Sequence, residues 1–148
     1  MATVDDIRRL VPLDHGLASL ATLRADGSVH ATLVNAGVID HPVDGDPVAA
    51  FVARHATRKL ANLLARPAAT LHWRAGWAWV AAEGTVELAG PDQVLGGFDA
   101  DRLPELLRTI FSASGGGEHA DWADYDRVMA AEGRVAVLLR PQRIYVNP

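Results

Sequence analysis

A chain of 148 residues, 49% hydrophobic and 22% charged, is sized for one globular domain, residues 1–148, and is too apolar for a disordered segment. Its net charge of −4 argues against nucleic acid or an anionic membrane surface as a general partner, and the absence of cysteine removes disulfides and thiolate chemistry. "MATVDDIRRL" lacks the apolar stretch of a signal peptide, and the longest apolar run, "GWAWVAA", is too short to span a bilayer, so a soluble cytoplasmic protein is expected.

In chain order, Thr3 is placed to cap a short helix, Val4 to Leu10, with Asp5 and Asp6 at its positive end and Pro12 beyond it. "GLASLATLR" alternates as a strand, and "ADGS" is a hairpin turn because Asp-Gly tolerates positive φ. The return strand is "VHATLVNAGVI", and "DHPVDGDP" is a second turn. "VAAFVA" is apolar on both faces and therefore central. At "TRKLANLLARP" the period changes: Leu60, Leu63 and Leu64 mark one helical face, Thr57 is placed as the N-cap, and Pro67 ends the helix. "ATLHW" and "WAWVAAEGTVELA" are the fourth and fifth strands, with Gly84 as a bulge site. Two further helices are expected at about Arg102–Ser112 and Trp122–Glu132. "RVAVLLRPQRIYVNP" supplies closing strands split near Pro141. The fold class is mainly β with helices (α+β), an antiparallel barrel of about six strands with three or four helices. "SASGGGEHAD" is a candidate loop over a site.

Lys59 is the only lysine, and it stands beside Arg58 behind the cap Thr57. Cations in a first helical turn oppose the dipole unless an anion is present, whereas free N–H groups, a hydroxyl, a guanidinium and an ammonium together suit a phosphate. Two solvated side chains at a helix start fit the spacing equally well, and neither GxGxxG nor GxxxxGK[ST] is present. His15, His41 and His119 fall in loops and are expected to be solvated, while His30, His55 and His72 lie on or near strands. Without HxH, HExxH or cysteine, no metal site is expected. Trp73, Trp77 and Trp79 surround one turn. The last two are expected to share a strand face, as core, as interface or as a wall against a planar ligand. Asp99, Asp101 and Glu105 read as helix-start charges. No carboxylate dyad or nucleophile motif stands out, so the catalytic residues are unknown.

The segments "ATLRADGSVHATLV", "ATRKLANLLARPAATL" and "AEGTVEL", in this order, resemble the split β-barrel family of pyridoxamine 5′-phosphate oxidase-like proteins, and most closely its branch that uses the deazaflavin coenzyme F420. The resemblance implies an F420-dependent oxidoreductase that transfers hydride to or from an organic substrate. FMN is the alternative cofactor, in an oxidase or flavin reductase, and a non-catalytic F420- or FMN-binding protein is a further alternative. It implies that Thr57, Arg58 and Lys59 grip the cofactor phosphate. It sets the ring against His30, Ala31, Thr32 and Leu33, with Val52, Ala53 and Trp79 as further contacts. It also implies a homodimer with cofactor sites at the interface. The arginine and histidine with which the oxidase binds pyridoxal phosphate have no counterpart in "RPQRIYVNP", which argues against pyridoxamine phosphate as the substrate.

Overall fold

The computed structural model describes all 148 residues. Six strands form the barrel: β1 (Leu17–Leu23), β2 (Val29–Asp40), β3 (Pro47–Ala53), β4 (Ala68–Ala75), β5 (Ala78–Ala89) and β6 (Val135–Val146). The helices are α1 (Val4–Leu10), α2 (Arg58–Ala65), α3 (Leu103–Phe111) and α4 (Trp122–Ala131). The barrel closes in the order β1-β2-β3-β6-β5-β4, and every neighbouring pair is antiparallel. Closure is incomplete at one seam: Val29–Asn35 of β2 pair only with β1, and Arg140–Val146 of β6 pair only with β5, because β3 reaches just Ala36–Asp40 and Val135–Leu139.

The expected strand alternation has a structural counterpart in two cores. Inside the barrel lie Leu20, Phe51, Leu71, Trp73, Val137 and Leu139. Trp73 is 1% exposed, and its indole N–H donates to the Ala36 carbonyl at 2.9 Å, which removes the cost of burying that donor. The outer faces of β3 and β6 carry Val48, Ala50, Ala136 and Leu138, and against them pack Leu106, Leu107 and Ile110 of α3 and Tyr125 of α4. This is why β3 reads as apolar on both faces: one face fills the barrel and the other seats the helical insertion between β5 and β6.

The insertion is pinned where backbone meets backbone. A Cβ on Gly37 of β2 would lie 2.1 Å from the Ala113 carbonyl oxygen, so only glycine admits the turn Ser112–Gly116 that ends α3. The joint between α3 and α4 is also ionic: Arg108 holds Asp126 through two bonds, and the guanidinium keeps the Asp126 carboxyl below the usual carboxylate range.

Local expectations are met at Thr3, whose hydroxyl accepts from Asp5 N while Asp6 returns a bond to Thr3 N, a reciprocal cap. Gly27 takes φ +85° in the first hairpin. Opposite Gly84 the register slips, so that Glu83 faces Arg143 and Gly84 faces Pro141. The closing segment is therefore one strand with an irregularity at Pro141, not two strands, because the missing N–H interrupts only one rung.

Two expectations are corrected. Trp77 is 94% exposed and sits before β5 in the hairpin turn, so it does not share a strand face with Trp79. His41 is not solvated: it is 4% exposed, its Nδ1 accepts from Val43 N at 3.1 Å, and its Nε2 lies 3.2 Å from Glu87 Oε1. Arg140 completes that cluster by bonding Glu87 and Asp44. No helix is long and apolar enough to cross a membrane.

Candidate functional site: a cavity beside the start of α2

Between β3 and α2 the chain turns through Arg54–Thr57, and Ala56 is held there at φ +61°. A residue with a Cβ in the left-handed region costs about 1–2 kcal/mol, a strain that concentrates at binding sites. Thr57 stands at the N-cap position with extended backbone, but its side chain does not cap α2. The hydroxyl instead donates back to the Arg54 carbonyl at 2.9 Å. The first N–H groups of α2 therefore lack the side-chain acceptor that a threonine there ordinarily provides. The first turn holds no acidic residue to meet the dipole.

Charge around this turn is unbalanced. Most arginines of the chain have a carboxylate partner, but Arg54, Arg58 and Lys59 have none. Lys59, Thr57 and Arg54 line a cavity of 730 Å³ outside the barrel, against β2 and the helical insertion. Arg58 does not face it. It lines a separate, smaller cavity of 280 Å³ with His55 and Gln93, because consecutive helical residues project about 100° apart.

Of the strand residues expected at a planar ring, Leu33 and Val52 line the large cavity, joined by Val34 and Asn35. Leu33 is 61% exposed, a large apolar side chain left open on the outer face of β2. Ala31 lies two residues away on the same face, whereas His30 and Thr32 alternate toward the barrel side and Ala53 belongs to the barrel core. The His30 Nδ1 is buried without a partner. Trp79 is not brought to this cavity. It lies on β5, beyond β1 and β4 from β2, stacked on His72 at 5.3 Å with its backbone N–H donating to Asn147 Oδ1.

The far wall comes from the helical insertion: Ile110, Phe111, Ser114, Gly115, Gly116, His119, Tyr125, Val128 and Met129. Sequence reasoning placed "SASGGGEHAD" over a site, and Ser114 to His119 do lie there. It did not identify the aromatic residues of α3 and α4, or Arg134 at the start of β6, as cavity wall. The missed signal was the pair of amphipathic helices around a glycine run, which gives no direction in which to fold back. His119 is half-buried: its ring packs against Phe111 and Tyr125 at 5.4 Å each, and its Nε2 is still open to solvent. Burial pushes the Tyr125 phenol up, and it stays a protonated donor to the Leu107 carbonyl at 3.0 Å. No three His, Asp or Glu side chains converge where a metal ion would sit.

The cavity thus has the unpaired cations Arg54 and Lys59 beside Thr57 and an aromatic end at Phe111, His119 and Tyr125, where Arg134, paired with Glu132, and Asp124 also line it. That division suits an elongated ligand with an anionic group at one end and a flat apolar body at the other.

Comparison with known proteins bears on this arrangement. Residues 4–147 match the family described as pyridoxamine 5′-phosphate oxidase. Among solved structures, a heme binding protein from Mycobacterium smegmatis superposes with TM-score 0.66 at 17% identity, over 99% of this chain and 55% of that one. A pyridoxamine 5′-phosphate oxidase-related, FMN binding protein from Nostoc punctiforme gives 0.65 at 14% identity, over 97% of this chain and 78% of that one. An F420 reductase gives 0.58 at 19% identity, over 91% and 93%. At these identities the likeness shows a shared fold, and the three proteins differ in what their descriptions say they bind or use.

Proposed function

The chain belongs to the pyridoxamine 5′-phosphate oxidase family, and from that premise we propose that it is an oxidoreductase holding F420, with FMN as the second reading. The observation that carries this is the start of α2, uncapped by Thr57, where Lys59 faces a 730 Å³ cavity with no carboxylate partner. Free N–H groups and the Lys59 ammonium fit a phosphate, as does the Thr57 hydroxyl once its proton turns from the Arg54 carbonyl to the anion, with Arg58 adding positive charge from the other side of the helix. The resemblance to the deazaflavin-using branch and the fold shared with an F420 reductase favour F420. The FMN binding protein supports the second reading, because both cofactors carry the phosphate.

A bound deazaflavin or flavin supplies hydride exchange with an organic substrate, and the protein supplies the rest. Lys59, Arg58 and the first N–H groups of α2 neutralise and orient the phosphate. The β2 stretch His30–Leu33 flanks the ring, with Leu33 as its exposed apolar contact and Val52 and Ala53 at the end of β3. The wall of α3 and α4 keeps water from one side.

The other side is closed by a second copy of the chain. Leu23, Val29 and Leu33 stand 38%, 58% and 61% exposed on the outer faces of adjoining β1 and β2. A patch of this kind is characteristic of an interface. Trp79, with β1 and β4 between it and β2, reaches a ring on β2 only from the second copy. Val29→Asp places a charge in this patch without touching either core. By light scattering after gel filtration, the wild type should run as a dimer and the variant as a monomer with weaker cofactor binding. A monomeric wild type that binds cofactor tightly would contradict the arrangement.

The cofactor reading is tested by recording the absorbance of the purified protein and then titrating it separately with F420, FMN and hemin. Tighter F420 binding is the expected result. Tight FMN with no F420 assigns the second reading, and binding of hemin alone overturns both.

A further inference from the structure

The aromatic end of the cavity carries a hydrogen-bond donor, on His119, that no protein group accepts and that is open to solvent, and Ser114, whose Oγ is buried without a partner, lines the same cavity. Phe111, His119, Trp122 and Tyr125 form a cluster in which each ring meets the other three, at centroid separations of 5.1 to 5.8 Å. Phe111, His119 and Tyr125 are the members that line the cavity. The His119 Nδ1 accepts a bond from the Asp121 backbone N–H at 3.0 Å. A neutral imidazole that accepts at Nδ1 carries its proton at Nε2, so the tautomer is set by the loop itself. Nε2 has no acceptor in the protein and is not sealed from solvent, so a ligand that covers it must replace water as its partner. The only other polar hydrogen among these three residues, the Tyr125 hydroxyl, is already bonded to the Leu107 carbonyl.

The loop is held in a way that keeps this donor in place. Gly115 adopts φ +92°, and a Cβ there would lie 2.6 Å from the His15 carbonyl carbon, so the glycine run lets the turn lie flat on the chain before β1. His119 then packs against both Phe111 and Trp122, with an interplanar angle of 38° to the latter.

We propose that this end of the cavity is a subsite for a planar heteroaromatic ring bearing a hydrogen-bond acceptor in its plane, with His119 Nε2–H as the donor that selects it. Stacking supplies affinity for any flat ring. Selection comes from the donor, because an all-carbon ring would cover Nε2–H and leave it unpaired, whereas a ring nitrogen or carbonyl oxygen would satisfy it. The ring belongs either to the cofactor or to a second ligand beside it. The subsite lies in the same cavity as the proposed cofactor site but does not depend on the Lys59 clamp, so the two readings can fail separately.

Quinoline and naphthalene share a shape and differ by one acceptor nitrogen, which makes them the probes. The chain has four tryptophans, so a ¹⁵N-labelled, cofactor-free sample gives four indole N–H signals, with Trp122 assigned through Trp122→Phe. The Trp122 signal should move on titration with quinoline, and quinoline should bind about tenfold more tightly than naphthalene. His119→Phe should abolish that preference while leaving naphthalene binding in place, and His119→Gln, which restores an N–H donor, should recover part of it. Repeating the titration with cofactor-loaded protein separates the two sources. Competition assigns the subsite to the cofactor's ring, and undiminished binding assigns it to a second ligand; both uphold the proposal. Equal affinity for the two probes, a preference that survives His119→Phe, or no movement of the Trp122 signal with either probe overturns it.

Discussion

Lys59→Ala should weaken the binding of F420 or FMN by roughly 10- to 100-fold, and Arg58→Ala should weaken it less. The Lys59 side chain faces the large cavity with no carboxylate partner, so its ammonium is free for a ligand anion. A hydrogen bond to a charged group contributes about 1.5–3 kcal/mol, and each 1.4 kcal/mol is about tenfold in affinity. Arg58 opens instead onto the smaller cavity with His55 and Gln93, and from there it contributes long-range charge more than direct contact. The same substitution has an opposite signature in the cofactor-free protein. Removing a cation from the first turn of a helix relieves its repulsion with the dipole, worth about 0.3–1 kcal/mol at most exposed sites. Cofactor-free Lys59→Ala should therefore melt at or slightly above the wild-type temperature while binding falls. A lysine with no role in binding would change neither affinity nor its ranking against Arg58, and isothermal titration of both variants decides the matter.

Gly37→Ala should lower stability by about 1–3 kcal/mol, the usual range for overpacking a well-fitted contact. The added methyl would sit 2.1 Å from the Ala113 carbonyl oxygen and 2.6 Å from its carbon. Both are backbone atoms, so no rotamer change can relieve the clash. The turn Ser112–Gly116 must lift from β2, and with it move Ser114, Gly115 and Gly116, which wall the cavity. Thermal unfolding should drop by roughly 3–10 °C for a domain of this size. Cofactor affinity should also fall, although no residue expected to touch the cofactor has changed. A variant with wild-type melting would show that the insertion is not docked on β2 as described.

Much of the barrel is legible in the sequence because its signals are local. Asp-Gly at 26–27 fixes a hairpin, Thr3 and Asp6 cap a helix reciprocally, and Gly84 marks the slip in register. "VAAFVA" announces two buried faces, although not that α3 covers one of them. The failures are those of contacts between distant residues. His41 is buried because Glu87, 46 residues onward, receives its Nε2, and nothing near His41 signals that partner. Trp77 reads as part of a strand because the turn needs only Gly76 at φ +61° and one further residue. The wall of α3 and α4 was invisible because a glycine run does not say which way the chain returns, and its docking depends on Gly37, 76 residues before Ala113.

The proposed phosphate clamp was half legible. Spacing put Thr57, Arg58 and Lys59 at a helix start, and that is where they stand. Helical phase could already have separated Arg58 from Lys59, since adjacent positions do not share a face. What the sequence lacked was the strained Ala56, the backward bond of the Thr57 hydroxyl, and the cavity that Lys59 lines and Arg58 does not. Trp79, placed beside the ring by resemblance, remains on the other side of the barrel within one chain.

The most direct measurement is isothermal titration of the cofactor-free protein with F420 and FMN, each beside its own phosphate-free core, the deazaflavin riboside and riboflavin. If the start of α2 holds a phosphate, each phosphate-bearing cofactor should bind at least about tenfold more tightly than its core, F420 should be the tighter of the two, and Lys59→Ala should erase most of the difference. Equal affinities for cofactor and core in the wild type would contradict a phosphate clamp at Thr57, Arg58 and Lys59.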